Sequence, residues 1–406
     1  MHKLILLIAI AAAAAFSAAQ DDSNVLIPES SIERPGDAGV RMHTNYFMRV
    51  PDPNITPDAP PPGLTVETPG SMACIYNLVS PHVAGCPVHT ATTVPSGGSQ
   101  LIVIVDAFDY PGAAADLTTF DHRWGLPATT FIKRFATGHQ PTNGCASGWE
   151  GEESLDIQWA HAMAPKATIV LMEAASNSVA DLTSAVQAAN TYIKNHGGKG
   201  EISMSWGGPE FNGEQSYDPA FTAPNVVYLA SSGDTAGVIY PSSSPNVISV
   251  GGTQVNRNSS GDYTGQTASS KCDPTAQGCG GGKSAFETRP SYQNGVVNFT
   301  GNVRGTPDIA SDSSSSSPVW VYNSSCYNSW VQVYGTSVAA PTLAGIINRA
   351  GSFKANTNAE LTEIYNNRHQ TTAYTDITAG SCTTHTAKTG YDLCTGVGVA
   401  KGYGKK

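Results

Sequence analysis

LIVIVD, residues 101–106, is an unbroken apolar run closed by a carboxylate. Its β-branched content and its length suit a strand buried on both faces, as strands of parallel sheets are. Downstream, helical and strand patterns alternate. A helix is expected around 112–123, then a glycine-bearing loop near 138–151. EESLDIQWAHAM, residues 152–163 from Glu152 on, has helical character and stops before Pro165. Residues 167–172 read as a strand and 179–196 as a helix closed by Gly197-Gly198. Further strands are expected at 202–206, 226–230 and 246–250, the last running into Gly251-Gly252. This alternation gives an α/β class with a mostly parallel sheet. Residues 254–300 are polar and glycine-rich and read as surface hairpins and loops. TSVAAPTLAGIINRA, residues 336–350, reads as one buried helix.

Upstream of the first strand the pattern changes. Lys3, an apolar run over 4–16 and the small residues Ser17-Ala18-Ala19 form a secretory signal peptide over 1–19. Residues 20–70 are proline-rich (PDPNITPDAPPPGL) and read as an extended leader or short propeptide, leaving 71–406 for the folded domain. The chain is therefore expected to be secreted, and no later stretch is long and apolar enough to span a membrane.

Composition narrows the function. Only 13% of the 406 residues are charged, with 22 Lys and Arg against 32 Asp and Glu. A nucleic-acid partner would need a basic footprint, and there is none. With every carboxylate neutral, only those 22 cations and 10 histidines carry charge, so self-repulsion in acid is mild. That suits life at low pH, and equally a neutral secreted protein with a Ser/Thr/Gly-rich surface. Eight cysteines in an exported chain indicate disulfides. Close spacing favours Cys74–Cys86, Cys272–Cys279 and Cys382–Cys394, which leaves Cys145 and Cys326, but spacing alone does not fix connectivity. Asn54, Asn258, Asn298 and Asn323 stand in N-x-Ser/Thr contexts.

Three segments could carry chemistry. In GTSVAAP, residues 335–341, Ser337 opens a small-residue helix after a glycine. A helix N-terminus offers free N–H groups to a developing oxyanion, although an N-cap serine would look the same. Among ten histidines, none lies in a His-Gly-Thr-His setting, and His161 alone sits in a strongly patterned helix. Glu152 and Asp156 are four apart and share a helix face, where like charges hold a proton more tightly. A solvated acidic helix start is the plainer reading of that pair. Asp234, in SSGD at 231–234, follows a strand at its carboxyl end, where α/β sheets place their sites and where turn aspartates also occur.

Taken in order, these segments resemble the sedolisin family of serine-carboxyl peptidases. The resemblance runs from about Thr68 to the C-terminus. It includes IVIVDA at 102–107, ESLDIQWAHAMAPKATI at 153–169, ISMSWGG at 202–208 and SSGD. It continues through YPSSSPNVISVGGT at 240–253, GGGKSAFETRPSYQ at 280–293, RGTPDIASDS at 304–313 and YGTSVAAPTLAG at 334–345. It implies a subtilisin-like three-layer α/β/α fold with glutamate where subtilisins carry histidine. By this resemblance Ser337 is the nucleophile, Glu152 the general base, Asp156 the carboxylate that orients it and Asp234 the oxyanion-hole aspartate. Asp106 extends the proton network and Trp206 walls it.

The same resemblance implies one structural calcium ion, held by Asp376, Asp392 and the carbonyls of Ile377, Lys388 and Gly390, with Lys388 where glycine is usual. About fifty residues separate the signal from the first matching segment, against a much longer folded prodomain usual in the family. The expectation is a secreted, acid-acting, monomeric endopeptidase for protein or peptide substrates. Two alternatives are a neutral subtilisin-type peptidase using a histidine, and a non-catalytic secreted binding protein on the same scaffold.

Overall fold

The strand expected at 101–106 spans Leu101–Ala107 (β1) with every residue buried. Successive side chains alternate between faces, so Ile102 and Ile104 join one core cluster while Val103 and Val105 join another. This is a computed structural model, and it describes residues 24–49, 65–274, 278–382 and 384–406. The signal peptide expected at 1–19 and Asn54 lie outside the described residues.

From β1 the chain continues as α1 (Ala113–Trp124), β2 (Phe131–Phe135), α2 (Trp149–Met163), β3 (Thr168–Ala174), α3 (Val179–Asn195) and β4 (Gly200–Met204). It goes on through β5 (Val226–Ser231), β6 (Ile248–Arg257), β7 (Tyr263–Ala268) and β8 (Ile309–Asp312). Helices α4 (Thr336–Ala350) and α5 (Thr357–Asn367) and short strands β9 (Tyr374–Thr375) and β10 (Val399–Ala400) complete the main body. The central sheet has ten strands in the order β9-β10-β8-β6-β5-β4-β1-β3-β2, with β7 paired to β6. Only β6–β7 and β9–β10 pair antiparallel in this sheet. Helices α2 and α4 cover the Ile102 face, and α3 covers the Val103 face through Leu182, Ala185 and Val186. The architecture is a three-layer α/β/α sandwich.

Helix α2 starts three residues earlier than its apolar pattern suggested, because Gly148 adopts a left-handed conformation (φ 88°) that turns the chain into it. Helices α2 and α4 pack closely. A Cβ added at Gly345 would lie 2.5 Å from Met163 Cβ and 2.7 Å from the Ala160 carbonyl. All four disulfides are intramolecular: Cys74–Cys86, Cys145–Cys326, Cys272–Cys279 and Cys382–Cys394. Among the described residues no helix is long and apolar enough to cross a membrane.

Part of the proline-rich leader packs onto this body. Val25–Leu26 pairs with Phe47–Arg49, which pairs in turn with Ser329–Tyr334, and His43–Thr44 pairs with Trp206–Pro209. Met42, Tyr46 and Met48 are buried. Strands of two or three residues are held by main-chain hydrogen bonds and by the edge they join, so they need no apolar periodicity and leave none in the sequence.

Candidate active site

Two helix N-termini face each other at the carboxyl end of the sheet. Gly335 (φ 117°) turns the chain into α4, which puts Ser337 in its first turn. Glu152 lies in the first turn of α2, and Asp156 follows one turn later on the same face. Ser337, Glu152 and Asp156 are fully buried. Ser337 Oγ lies 2.9 Å from Glu152 Oε2 and 3.1 Å from the Ser205 carbonyl. Ser205 Oγ donates to Asp156 Oδ1 at 2.8 Å.

The carboxyls hold protons tightly. Burial is the main cause at Glu152, reinforced by repulsion from Asp156 and Asp106, and opposed by the Ser337 hydrogen bond. Burial also raises Asp156, opposed by hydrogen bonds from Ser205 and Glu152. Asp106, next to last in β1, lies beside this pair; burial, then Asp156 and Glu173, push it up. Neither Glu152 Oε1 nor Asp156 Oδ2 meets an N–H or O–H among the described residues. The pair can hydrogen-bond to each other only by sharing a proton, so it titrates as a unit. Trp206 is buried, and its indole N–H donates to the Val105 carbonyl at 2.6 Å, beside Asp106.

Asp234 approaches Ser337 from the loop after β5. Its Oδ1 accepts from the Thr336 N–H (2.7 Å) and the Thr336 hydroxyl (2.8 Å). Its Oδ2 is buried without a hydrogen-bond partner among the described residues. A Cβ added at Gly335 would lie 2.4 Å from that Oδ2 and 2.3 Å from the Asn45 carbonyl oxygen, so both oxygens border the same spot. Burial raises the Asp234 pKa well above the ordinary range, against the two Thr336 hydrogen bonds. The Ser337 N–H donates to that same Asn45 oxygen at 2.9 Å.

No histidine is a hydrogen-bond partner of Ser337 among the described residues. His161 is buried at the far end of α2, with Nε2 3.0 Å from Asp121 Oδ1. Three contributors escaped the sequence reading as individual residues: Ser205, Thr336 and Asn45. Ser205 and Thr336 sit inside motifs that drew attention to their neighbours, Trp206 and Ser337. Asn45 lies in a segment with no pattern to flag it.

Near the C-terminus, Asp376 Oδ2 accepts from Gly390 N (2.8 Å) and Asp392 Oδ2 from Lys388 N (2.9 Å). Asp392 Oδ1 also accepts from Cys394 N and Thr395 N, both at 2.8 Å. The two carboxylates thus close on one loop, 388–390, with Ile377 buried directly after Asp376. Carboxylates and main-chain carbonyls are hard oxygen donors, the kind that calcium takes. Lys388 is exposed.

Comparisons with known proteins identify the family. A model of the subtilase family matches residues 113–398. Sedolisin from Pseudomonas sp. (strain 101) is 29% identical over 298 residues, covering 66% of this chain and 50% of the relative. Kumamolisin from Bacillus sp. (strain MN-32) is 29% identical over 343 residues, covering 74% of this chain and 58% of the relative. The chain therefore spans about half the length of the curated relatives it matches. A solved structure of Pseudomonas sedolisin, a serine-carboxyl proteinase complexed with two molecules of pseudo-iodotyrostatin, superposes with a TM-score of 0.66. It is 25% identical and covers 84% of this chain and 96% of that one. The chain belongs to the subtilase family, and within it to the sedolisins.

Proposed function

We propose that this chain is a secreted, acid-acting serine-carboxyl endopeptidase that hydrolyses protein or peptide substrates as a monomer. The observation that carries the reading is the 2.9 Å contact between Ser337 Oγ and the buried Glu152 carboxyl. Ser337 attacks the substrate carbonyl and Glu152 takes its proton, while Asp156 holds Glu152 in place and shares its proton load. The Ser337 N–H and a protonated Asp234 donate to the oxyanion. Glu152 returns the proton to the leaving amine, and water then hydrolyses the acyl-enzyme. Asp106 and Trp206 keep the carboxyl pair enclosed.

A carboxylate is a weak base for a hydroxyl unless its pKa is raised, and burial with two neighbouring acids raises this one. Asp234 donates only while protonated, so activity falls as pH rises through its pKa. Four disulfides support an oxidising, extracellular setting. Asp376, Asp392 and the carbonyls of Ile377, Lys388 and Gly390 would hold one calcium ion, which would tie the C-terminal loop to the body. The test is a pH–rate profile on a denatured protein substrate. Replacing Glu152 by Gln removes the base and is expected to cost on the order of 10²–10⁴-fold in kcat. Near-normal turnover in that variant, or a rate maximum at neutral pH, would refute the assignment.

A further inference from the structure

One disulfide spans the site, while the others close local loops. Cys145 and Cys326 are 181 apart in sequence, and Glu152 and Ser337 are 185 apart, so the covalent bond and the serine–glutamate contact join nearly the same two segments. The other three bonds link cysteines 7 or 12 apart. Each cysteine of the long-range pair stands ahead of one half of the machinery. Cys145 lies in the loop that leads through Gly148 into α2, whose first turn carries Glu152. Cys326 lies in the turn between Val319–Asn323 and Ser329–Tyr334, a hairpin whose second strand leads through Gly335 to Ser337.

Helix α2 needs support at that end. The first N–H groups of a helix have no partner within it, and no side chain caps them here. The loop serves instead, through its main chain. The Gly144 carbonyl accepts from the Trp149 N–H at 3.1 Å, and the Cys145 carbonyl from the Gly148 N–H at 3.0 Å. The loop is itself anchored by the Gly144 N–H, which donates to the Asp109 carbonyl at 3.0 Å, and by the bond to Cys326. On the hairpin side, Asn323 Oδ1 accepts from the Cys326 N–H at 2.8 Å, while its Nδ2 lies 3.2 Å from both the Glu150 carbonyl and Ser154 Oγ. One turn further on, the Gln158 side chain pairs with the Tyr322 main chain at 2.7 and 2.9 Å. These contacts hold the middle of the helix whether the S–S bond is closed or open. The first turn, with Glu152 on it, depends on the loop. The bond is also within reach of a reagent: both its cysteines are half-buried, whereas the other six are 2% exposed or less.

We propose that Cys145–Cys326 is a reversible redox clamp on the catalytic geometry: closed, it holds Glu152 against Ser337, and opened by a small reductant, it leaves a folded chain whose base is out of place. The two cysteines are positioning residues, and the proposal rests on the roles given above to Ser337 and Glu152. Opening breaks the S–S bond and adds two electrons and two protons, supplied by two molecules of a small thiol that leave as their own disulfide. A phosphine does the same with one water, whose oxygen it keeps as phosphine oxide. An oxidised thiol pair reverses the step. A misplacement of about 1 Å is enough to cost on the order of 10²-fold in rate.

The test uses the full chain and tris(2-carboxyethyl)phosphine, because thiol exchange needs a thiolate and is slow in acid. After brief treatment, one portion is alkylated with N-ethylmaleimide and mapped by mass spectrometry. A second is assayed on a fluorogenic peptide at acid pH, and a third is re-oxidised with oxidised glutathione before assay. The expected result is label at Cys145 and Cys326 alone, with kcat lower by on the order of 10–10²-fold and KM unchanged. Far-UV circular dichroism and tryptophan fluorescence should stay the same, and re-oxidation should restore kcat. The paired replacement Cys145→Ser with Cys326→Ser should show the same loss and no response to phosphine. Unchanged kcat with both cysteines labelled overturns the proposal and leaves the peptidase standing. So does label appearing first at any other cysteine, or a loss of kcat that follows a loss of folded signal. An oxidised parent that cleaves nothing at acid pH defeats the peptidase reading, and the clamp with it.

Discussion

Glu201 offers a test of how the fold responds to pH, away from the catalytic groups. It lies on β4, 1% exposed, with Oε2 2.7 Å from Asn348 Nδ2 on α4. Burial raises its pKa from 4.5 to about 8, against the Asn348 hydrogen bond. In strong acid the side chain is neutral both folded and unfolded. As pH rises past the unfolded value, the unfolded chain releases the proton while the folded chain keeps it. Stability then falls by about 1.4 kcal/mol per pH unit until the folded group ionises as well. Over the interval from 4.5 to about 8 the loss is on the order of 4 kcal/mol. Glutamine is neutral at every pH, and its carbonyl can accept from Asn348. Glu201→Gln, made in the Ser337→Ala background to prevent autolysis, should match its parent within about 1 kcal/mol at about pH 4. By about pH 8 it should be more stable by on the order of 3–4 kcal/mol. Urea unfolding followed by tryptophan fluorescence across this range measures the difference. A gap that does not change with pH would refute the reasoning.

Glu173 and Glu214, both raised to about 8 mainly by burial, slope the same way, so the parent itself should lose stability from acid toward neutrality. At the oxyanion site, Asp234→Ala should cost on the order of 10²–10³-fold in kcat. Asp234→Asn should retain more, because Thr336 fixes Oδ1 as the acceptor and so turns the amide N–H₂ toward the unpartnered position of Oδ2; its pH profile should also lose the alkaline decline. Arg304 and Asp308 form a fully buried pair, with Nη1–Oδ1 2.7 Å and Nη2–Oδ2 2.5 Å. Asp308→Ala strands that guanidinium and should cost about 3–5 kcal/mol in chemical denaturation. Chelation of calcium should lower the melting temperature, and Asp392→Asn should abolish that response; an unchanged melting curve on chelation would remove the ion from the account.

The sandwich was legible where burial on both faces leaves continuous apolar runs. β1 and α4 stand out for this reason, and α4 has the bounds its small-residue pattern suggests. The site was legible in pieces only. Glu152 and Ser337 are 185 residues apart, and no spacing rule brings them together. Their pairing came from the ordered motifs of a family, and the geometry places the two side chains in contact. Glu153 and Glu173 are buried beside Asp106, and nothing in the sequence marks them for it, because burial is decided by tertiary packing, which leaves no mark at a single position. The leader was illegible for another reason: its strands are two or three residues long and owe their place to the edges they meet.

The contact between Gly345 and Met163 sets a distance far from where it acts. Eight residues of helix, roughly 12 Å, separate Gly345 from Ser337. A methyl group at 345 would wedge the two rods apart at that crossing and swing the hydroxyl away from its acid partner, so the reach of the proton transfer is gauged by one absent side chain near the opposite end.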